Sequence, residues 1–414
     1  MDFVTRRGNF RYLVSFLKYG EENIGMIYDD CCSFRFGKSV IKSAVKLAYE
    51  HAQDMLDQPD KDWTAEELPE IHAPWTAKII SEKVNFLQSL ALKLRAKRVE
   101  NGALRLDQPK LCFSLDKESG LPQGYRVYEQ RHSNRLIEEF MLLANISVAQ
   151  KIQSAFPDIA VLRCHPRPRE VLMEKAADLL QRFGISIDTS NSLALQNTIN
   201  AYKPAPEDLE ALGRWQVLMS VLAKPMHNAE YFCTGMKDDV DKYHHYALSV
   251  PMYTHFTSPI RRYPDILVHR LLDAALKPKE LKWNPQQIEM VAQHCNDRKL
   301  AAKTCSEKSA ELFLCLFIRQ SGPVNVEAVV VQVMDHSMDC ILSNMGVVKR
   351  VYFNRNEEIE GFDYQKNEGN NLAMFVKWKH TSTPQVLQMF TTVQLSLEAH
   401  EKSAFDYNAR LIKP

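Results

Sequence analysis

The chain has 414 residues, 45% of them hydrophobic and 25% charged, as expected of an ordinary soluble globular protein with two or three domains. With 52 basic against 51 acidic residues the net charge is +1, so bulk charge gives no argument for a nucleic-acid partner, and any basic surface must be local. The nine cysteines form no C-x-x-C pair, and His294–Cys295 with Cys305 is the nearest approach to metal-site spacing, so they read as free thiols of a reducing compartment.

Residues 1–28 show no clear period, and the basic N-terminus lacks the apolar core of a secretory signal. From Phe36 to about Met55 the apolar positions Val40, Ile41, Val45, Leu47, Ala48 and Ala52 predict a helix. Pro59, Pro69 and Pro74 mark 57–76 as a linker or loop, followed by a long helix over Ala77–Val99. Leu111–Tyr128 reads as a hairpin turning at Gly120–Gly124. Ile137, Met141, Ala144, Val148 and Ile152 stripe a helix from Arg135 to Phe156, and further helices are expected over 169–184, 206–223 and 284–320. No run of about 18 apolar residues occurs, so no transmembrane helix is expected and the cytoplasm is the expected location. After Gly322 the period changes: β-branched runs at 324–333, 339–352, 372–378 and 386–397 predict a separate small β-barrel of roughly 80 residues.

Chemistry concentrates in Tyr253–Leu272, YTHFTSPIRRYPDILVHRLL. Ser258–Pro259 reads as a helix start, serine capping and proline in the first position, with exposed N–H groups that attract anions. Arg261 and Arg262 would sit just inside it, and a guanidinium fork matches phosphate oxygens. Tyr253, His255, Phe256 and Tyr263 offer stacking faces for bases, and Leu267, Val268, Leu271 and Leu272 a buried helix face. Read by itself, Ser-Pro-x-Arg-Arg is more often an amphipathic helix with surface ion pairs. A recognition helix of the helix-turn-helix kind is disfavoured by Pro259 and Pro264, and a serine–histidine dyad of Ser258 with His255 explains less than a helix cap does.

This long segment resembles the signature of the ribonuclease II / ribonuclease R (RNB) family of 3′→5′ exoribonucleases, with the eukaryotic cytoplasmic branch that acts without the exosome ring the most similar. KLAYEHAQDMLD (46–57), NGALRLDQPKL (101–111), SNRLIEEFMLLAN (133–145), KPMHNAEYFC (224–233) and HCNDRK (294–299) are similar to that branch too, so the resemblance runs from about Phe36 to the end. It implies an α+β fold, a partial RNB catalytic domain followed by an OB-fold RNA-binding barrel. The expected divisions are an unmatched segment 1–28, catalytic part 29–320, barrel 321–400 and tail 401–414. It also implies a monomer that draws single-stranded RNA from its 3′ end and hydrolyses it with Mg²⁺, releasing nucleoside 5′-monophosphates, with uridylated ends preferred. By resemblance Arg261 is the catalytic arginine on the scissile phosphate. Tyr49 matches an active-site tyrosine near the 3′-terminal nucleotide, Glu138 or Glu139 a glutamate near the RNA, and Glu307 a second acidic residue.

The family places Mg²⁺ with four aspartates spaced D-x-x-x-x-x-D-x-D-D, upstream of the region matching Phe36, and that cluster is not found in this sequence. Asp29–Asp30 resembles a position before a helix and not a ligand, and Asp238, Asp239 and Asp241 read as a solvated charge run. Cys31-Cys32-Ser33-Phe34-Arg35 stands where relatives carry a tryptophan leading into a Phe-Gly-basic step, which suggests an altered or incomplete N-terminus. Two readings stay open: an active exoribonuclease seen as a truncated product, and a catalytically silent RNA-binding form.

Overall fold

The computed structural model describes all residues except 1, 8–9, 17–33, 40, 107–108, 206–207, 278–279, 344, 367–370, 401–402 and 404. Asp29–Asp30 and Cys31-Cys32-Ser33 therefore lie outside the described residues, as does part of segment 1–28. The fold is mixed helix and strand, and it divides into two compact units, each assembled from separate stretches of chain.

The first unit gathers 1–104, 130–167 and 227–299. Strands β1 (Asp2–Arg7), β2 (Phe10–Phe16) and β3 (Phe34–Ser39) pair antiparallel in that order, with Val14 opposite Phe36. The helix expected from Phe36 is corrected here: Phe36 lies in a strand, 41–48 is irregular, and α1 covers only Tyr49–Asp57. Phe34, Phe36 and Lys38 alternate, a strand pattern that the apolar positions further along obscure. Helix α2 (Ala77–Glu100) starts where expected because Thr76 accepts the Ile79 N–H at 3.4 Å. Helix α3 (His132–Ala155) opens three residues early, because Asn134 Oδ1 accepts the Arg131 N–H (3.1 Å) and Gln53 Oε1 of α1 takes that of Ser133 (3.0 Å).

Two short strands unseen in the sequence, β6 (Val161–Cys164) and β7 (Glu230–Cys233), pair antiparallel at the heart of this unit. Four residues buried almost throughout carry no alternation to read. They pack against Val148 and Ile152 of α3 and against Val268, Leu271 and Leu272 of α7 (Tyr263–Leu276). Each fully buried Leu or Ile here contributes about 1.5–3 kcal/mol by leaving water.

The second unit gathers 105–129, 168–226 and 300–414. It contains the expected hairpin, β4 (Leu111–Leu115) with β5 (Pro122–Val127), and helices α4 (Glu170–Gln181), α5 (Ser192–Ala201) and α6 (Leu209–Ala223). Helix α8 (Pro285–Ser321) belongs to both units. The remaining strands are β8 (Val324–Met334), β9 (Ser337–Leu342), β10 (Val347–Tyr352), β11 (Ile359–Lys366), β12 (Leu372–Trp378), β13 (Gln385–Gln388), β14 (Thr392–Ala399) and β15 (Tyr407–Leu411). They form sheets ordered β10-β9-β8-β14-β15 and β11-β12-β13 around one core with Trp378 and Tyr407, a nearly closed barrel consistent with an OB-fold. Residues 401–414, expected as a tail, supply β15, whose Tyr407 and Leu411 are buried. The helix-to-strand change falls at Gly322 (φ +76°), as the sequence indicates, and Phe113 of β4 stacks on Phe313 of α8 at 5.8 Å within this unit.

Candidate functional site

The segment from Tyr253 to Arg262 is irregular in backbone yet held at nearly every step. The Arg163 N–H donates to the Tyr253 carbonyl (2.8 Å) and Thr254 Oγ1 to the Val161 carbonyl (2.7 Å), which ties the segment to β6. Asn145 of α3 accepts the Phe256 N–H (2.8 Å) and donates to Tyr253 Oη (2.9 Å). Fully buried Asp265 of α7 accepts the Ser258 N–H (2.7 Å) and Arg262 Nη2 (2.7 Å) on one oxygen. Phe256 lies against His269 at 4.4 Å between ring centres.

The helix start expected at Ser258–Pro259 is corrected. Residues 259–261 form a turn in which the Ser258 carbonyl accepts the N–H groups of Arg261 (3.2 Å) and Arg262 (3.1 Å). Helix α7 begins only at Tyr263, with Pro264 in its first turn and Arg262 as N-cap. Pro264 gives the reason: in a helix begun at 259 it would lie in the interior and remove a hydrogen bond, whereas in the first turn its missing N–H costs nothing.

This arrangement sorts the expected residues. The turn carries Ile260, 93% exposed, and Arg261, exposed and without an ion pair among the described residues. Tyr263 is 54% exposed and keeps an open ring face, and Tyr49, the first residue of α1, is 45% exposed. Arg262 is only partly exposed and is committed to Asp265. Tyr253 and Phe256 are buried, so neither offers a base-stacking face; the hydroxyl of Tyr253 is used by Asn145, and its ring stands edge-on to His245 (5.4 Å) and His255 (5.5 Å). Glu139 is 2% exposed and takes both arms of the Arg98 fork (2.6 and 3.1 Å), while the neighbouring Glu138 is half-buried and accepts from Gln130 Nε2 (3.0 Å). Glu307 lies exposed on α8, 3.9 Å from Lys303, in the second unit.

Several residues of the site carry no signal strong enough to find in the sequence. Arg163 is 7% exposed inside β6, with its guanidinium 4.8 Å from the ring centre of Tyr231. Lys299 of α8 approaches the same ring at 5.8 Å. Asn296 clamps Tyr231 by accepting its N–H (2.7 Å) and donating to its carbonyl (2.9 Å). Tyr231 Oη lies 2.6 Å from His255 Nδ1. A charged residue in the apolar run AVLRC is the hint that sequence offers for Arg163.

Electrostatics follow this crowding of cations. Burial, then Arg262 and Arg163, hold His255 far below its ordinary value, so it is neutral beside the Tyr231 hydroxyl. Burial, then His165, press His245 down to about 2. Desolvation, then Arg163 and Arg262, bring Lys299 down to about 8. The Lys299 side chain is itself exposed, so solvent screens much of that effect. Desolvation raises Tyr253 to about 12.

A Mg²⁺ ion needs several oxygen ligands, one or two of them carboxylates, and this donor set does not fit it. Among the described residues Asp265 is the carboxylate paired within the cluster; Arg262 and a backbone N–H use its Oδ1, and Oδ2 is buried without a hydrogen-bond partner, so the cluster offers a single carboxylate where Mg²⁺ needs several oxygen ligands. Lys237 turns its ammonium to Cys164 Sγ (3.0 Å), and Asp239 accepts the Asp241 N–H (2.9 Å), so that charge run is occupied locally. Cys295 and Cys305 share α8 ten residues apart, about 15 Å along the axis. Among the described residues no group of three His, Cys, Asp or Glu side chains is placed to hold a metal, and no helix is long and apolar enough to cross a membrane.

Known proteins agree with this fold. The family model described as RNB domain matches residues 26–278, and that described as DIS3-like exonuclease 2 C terminal matches 322–409. The chain is 43% identical to DIS3-like exonuclease 2 of Xenopus tropicalis over 383 residues, 92% of this chain and 46% of that protein. It is 47% identical to DIS3-like exonuclease 2 of Caenorhabditis elegans over 321 residues, 77% of this chain and 37% of that protein. The chain thus spans less than half the length of either relative. The apo form of Mycoplasma genitalium RNase R superposes with a TM-score of 0.75 at 18% identity, covering 97% of this chain and 58% of that one, a likeness of fold alone. The RNB model covers well over half of the sequence, including the whole segment that carries Arg261, and the chain belongs to the RNB domain family.

Proposed function

We propose that this chain is the substrate-gripping part of a 3′→5′ exoribonuclease that hydrolyses single-stranded RNA to nucleoside 5′-monophosphates. The observation that carries the reading is Arg261: a rigidly anchored turn holds it out to solvent with no carboxylate committed to it among the described residues. A free guanidinium on a fixed support can take a phosphodiester bidentately and meet the charge that grows on it in the transition state. Tyr263 offers a ring to a neighbouring base, Tyr49 is open for the terminal nucleoside, and Glu138 is the one of the two glutamates with an accessible edge. Relatives named as exonucleases support the reaction class, and a cytoplasmic, monomeric protein with Mg²⁺ as cofactor and a preference for uridylated 3′ ends completes it. The described residues do not by themselves form a Mg²⁺ cage.

A second reading, a catalytically silent RNA-binding form, is favoured by the same donor set: among the described residues the cluster holds a single carboxylate, and one of its oxygens is bound by Arg262. A labelled oligouridine incubated with the chain and Mg²⁺ separates the two. Shortening from the 3′ end supports the exoribonuclease, and an intact but retarded band supports the silent form. No retardation and no shortening would sink both.

A further inference from the structure

Outside the Arg261 turn, buried and exposed cations gather around Tyr231. Arg163 and Lys299, from a strand and a helix far apart in sequence, lie within 6 Å of the same Tyr231 ring, at 4.8 and 5.8 Å. Arg262 belongs to the same neighbourhood, since it and Arg163 both depress Lys299 and His255. Burying like charges together is costly unless something compensates. Within the cluster only Asp265 does so among the described residues, and it serves Arg262. Arg163 Nη1 is buried without a hydrogen-bond partner, as is Arg262 Nε. An orphaned guanidinium N–H on a side chain that is 7% exposed is a donor waiting for an acceptor. Lys299, by contrast, is exposed and gives the floor of two arginines an open rim.

We propose that Arg163, Arg262 and Lys299 form a second anion subsite, distinct from the grip at Arg261, that takes a tetrahedral phosphate group against the Tyr231–His255 pair. Three donors from three elements match the oxygens of a phosphate better than the two of a carboxylate. The subsite rests on the exoribonuclease reading only for the source of the phosphate, a second diester of the same RNA strand or the released 5′-monophosphate. Lys299 faces Arg163 of β6, Tyr231 of β7, and His255 and Arg262 of the anchored segment, while Asp265 of α7 and Cys295 of α8 act on the Tyr231 hydroxyl beneath it. With Lys299 titrating near 8, the subsite weakens as pH rises through that value.

The test is a calorimetric titration of the full chain with sulfate at constant ionic strength, sulfate being a tetrahedral dianion whose charge does not change over the range used. One saturable site is expected, weakened about tenfold or more by Lys299→Met and by Arg163→Met and retained in Arg261→Ala. Lys299→Met leaves the thermal midpoint of the unliganded chain unchanged or raised, an outcome that a merely structural lysine would not give. Lys299→Arg keeps the affinity and removes its fall between about pH 7 and pH 9. Absence of saturable sulfate binding, or affinity indifferent to Lys299→Met, overturns the proposal. So does acetate binding as tightly as sulfate, which would make this a seat for a carboxylate. Sulfate binding that depends on Lys299, together with oligouridine that is neither bound nor cut, would uphold the subsite and remove the RNA reading instead.

Discussion

Two adjacent arginines behave as opposites. Arg261 stands on an exposed turn with no counter-charge among the described residues, while Arg262 folds back onto a fully buried carboxylate. The glutamates of α3 repeat the contrast, with Glu138 half-buried and Glu139 locked into the Arg98 fork. In each pair one residue is tied into a buried ion pair and its neighbour stays accessible. A guanidinium can grip a phosphate with little reorganisation only if something else has already fixed the backbone that carries it. Here Asp265 and Asn145 do so, through 2.7 and 2.8 Å bonds to the N–H groups of Ser258 and Phe256.

This contrast can be broken by experiment. The largest effect is expected from Arg262→Ala, which leaves Asp265 as an uncompensated buried charge and should cost about 3–5 kcal/mol of stability by denaturant titration. A cost below about 1 kcal/mol would mean that Arg262 is not a structural residue. Glu139→Ala should fall in the same range of about 3–5 kcal/mol by removing the buried acceptor of both arms of the Arg98 fork, while Glu138→Ala stays within about 0.5 kcal/mol and alters RNA binding alone. Arg261→Ala should leave stability within about 0.5 kcal/mol yet lower the rate of oligouridine shortening by about 10²–10³-fold, or in a silent chain weaken the retarded band. Equal losses of stability at 261 and 262 would erase the distinction. Asn145→Ala should cost about 1–3 kcal/mol, since the Phe256 N–H and Tyr253 hydroxyl both lose their partner.

The smallest effect is one of pH. The folded chain holds Lys299 below its unfolded value, so the unfolded state takes up the proton first as pH falls. Stability should therefore decline as pH drops from the unfolded lysine value, about 10.4, to about 8 and show no further change from this group below that. The decline is shallow because the side chain is exposed, and Lys299→Met should abolish it in a comparison of thermal midpoints.

What could be read from the sequence followed what is local. The long helices α2, α3 and α8, the β4–β5 hairpin and the change at Gly322 were legible because period and turn chemistry repeat over many residues. The Tyr253–Leu272 segment was legible as a family signature, and Arg261 with it. Its local structure was misread where Pro264 overrules the Ser-Pro start, and Tyr253 was misread as open because an aromatic side chain looks the same whether it stacks on a base or on its own neighbours. β6 and β7 escaped because four residues buried almost throughout show no alternation.

By itself, then, the sequence determined the family and the α+β class, and through the family signature it singled out Arg261. Only the tertiary structure decided which member of each charged pair is spent inside and which is open. It alone brought Arg163, Arg262 and Lys299 together around one tyrosine. The physical reason is that burial and counter-charge are properties of a neighbourhood, and these neighbours come from 163, 231, 262 and 299, which nothing but folding makes adjacent.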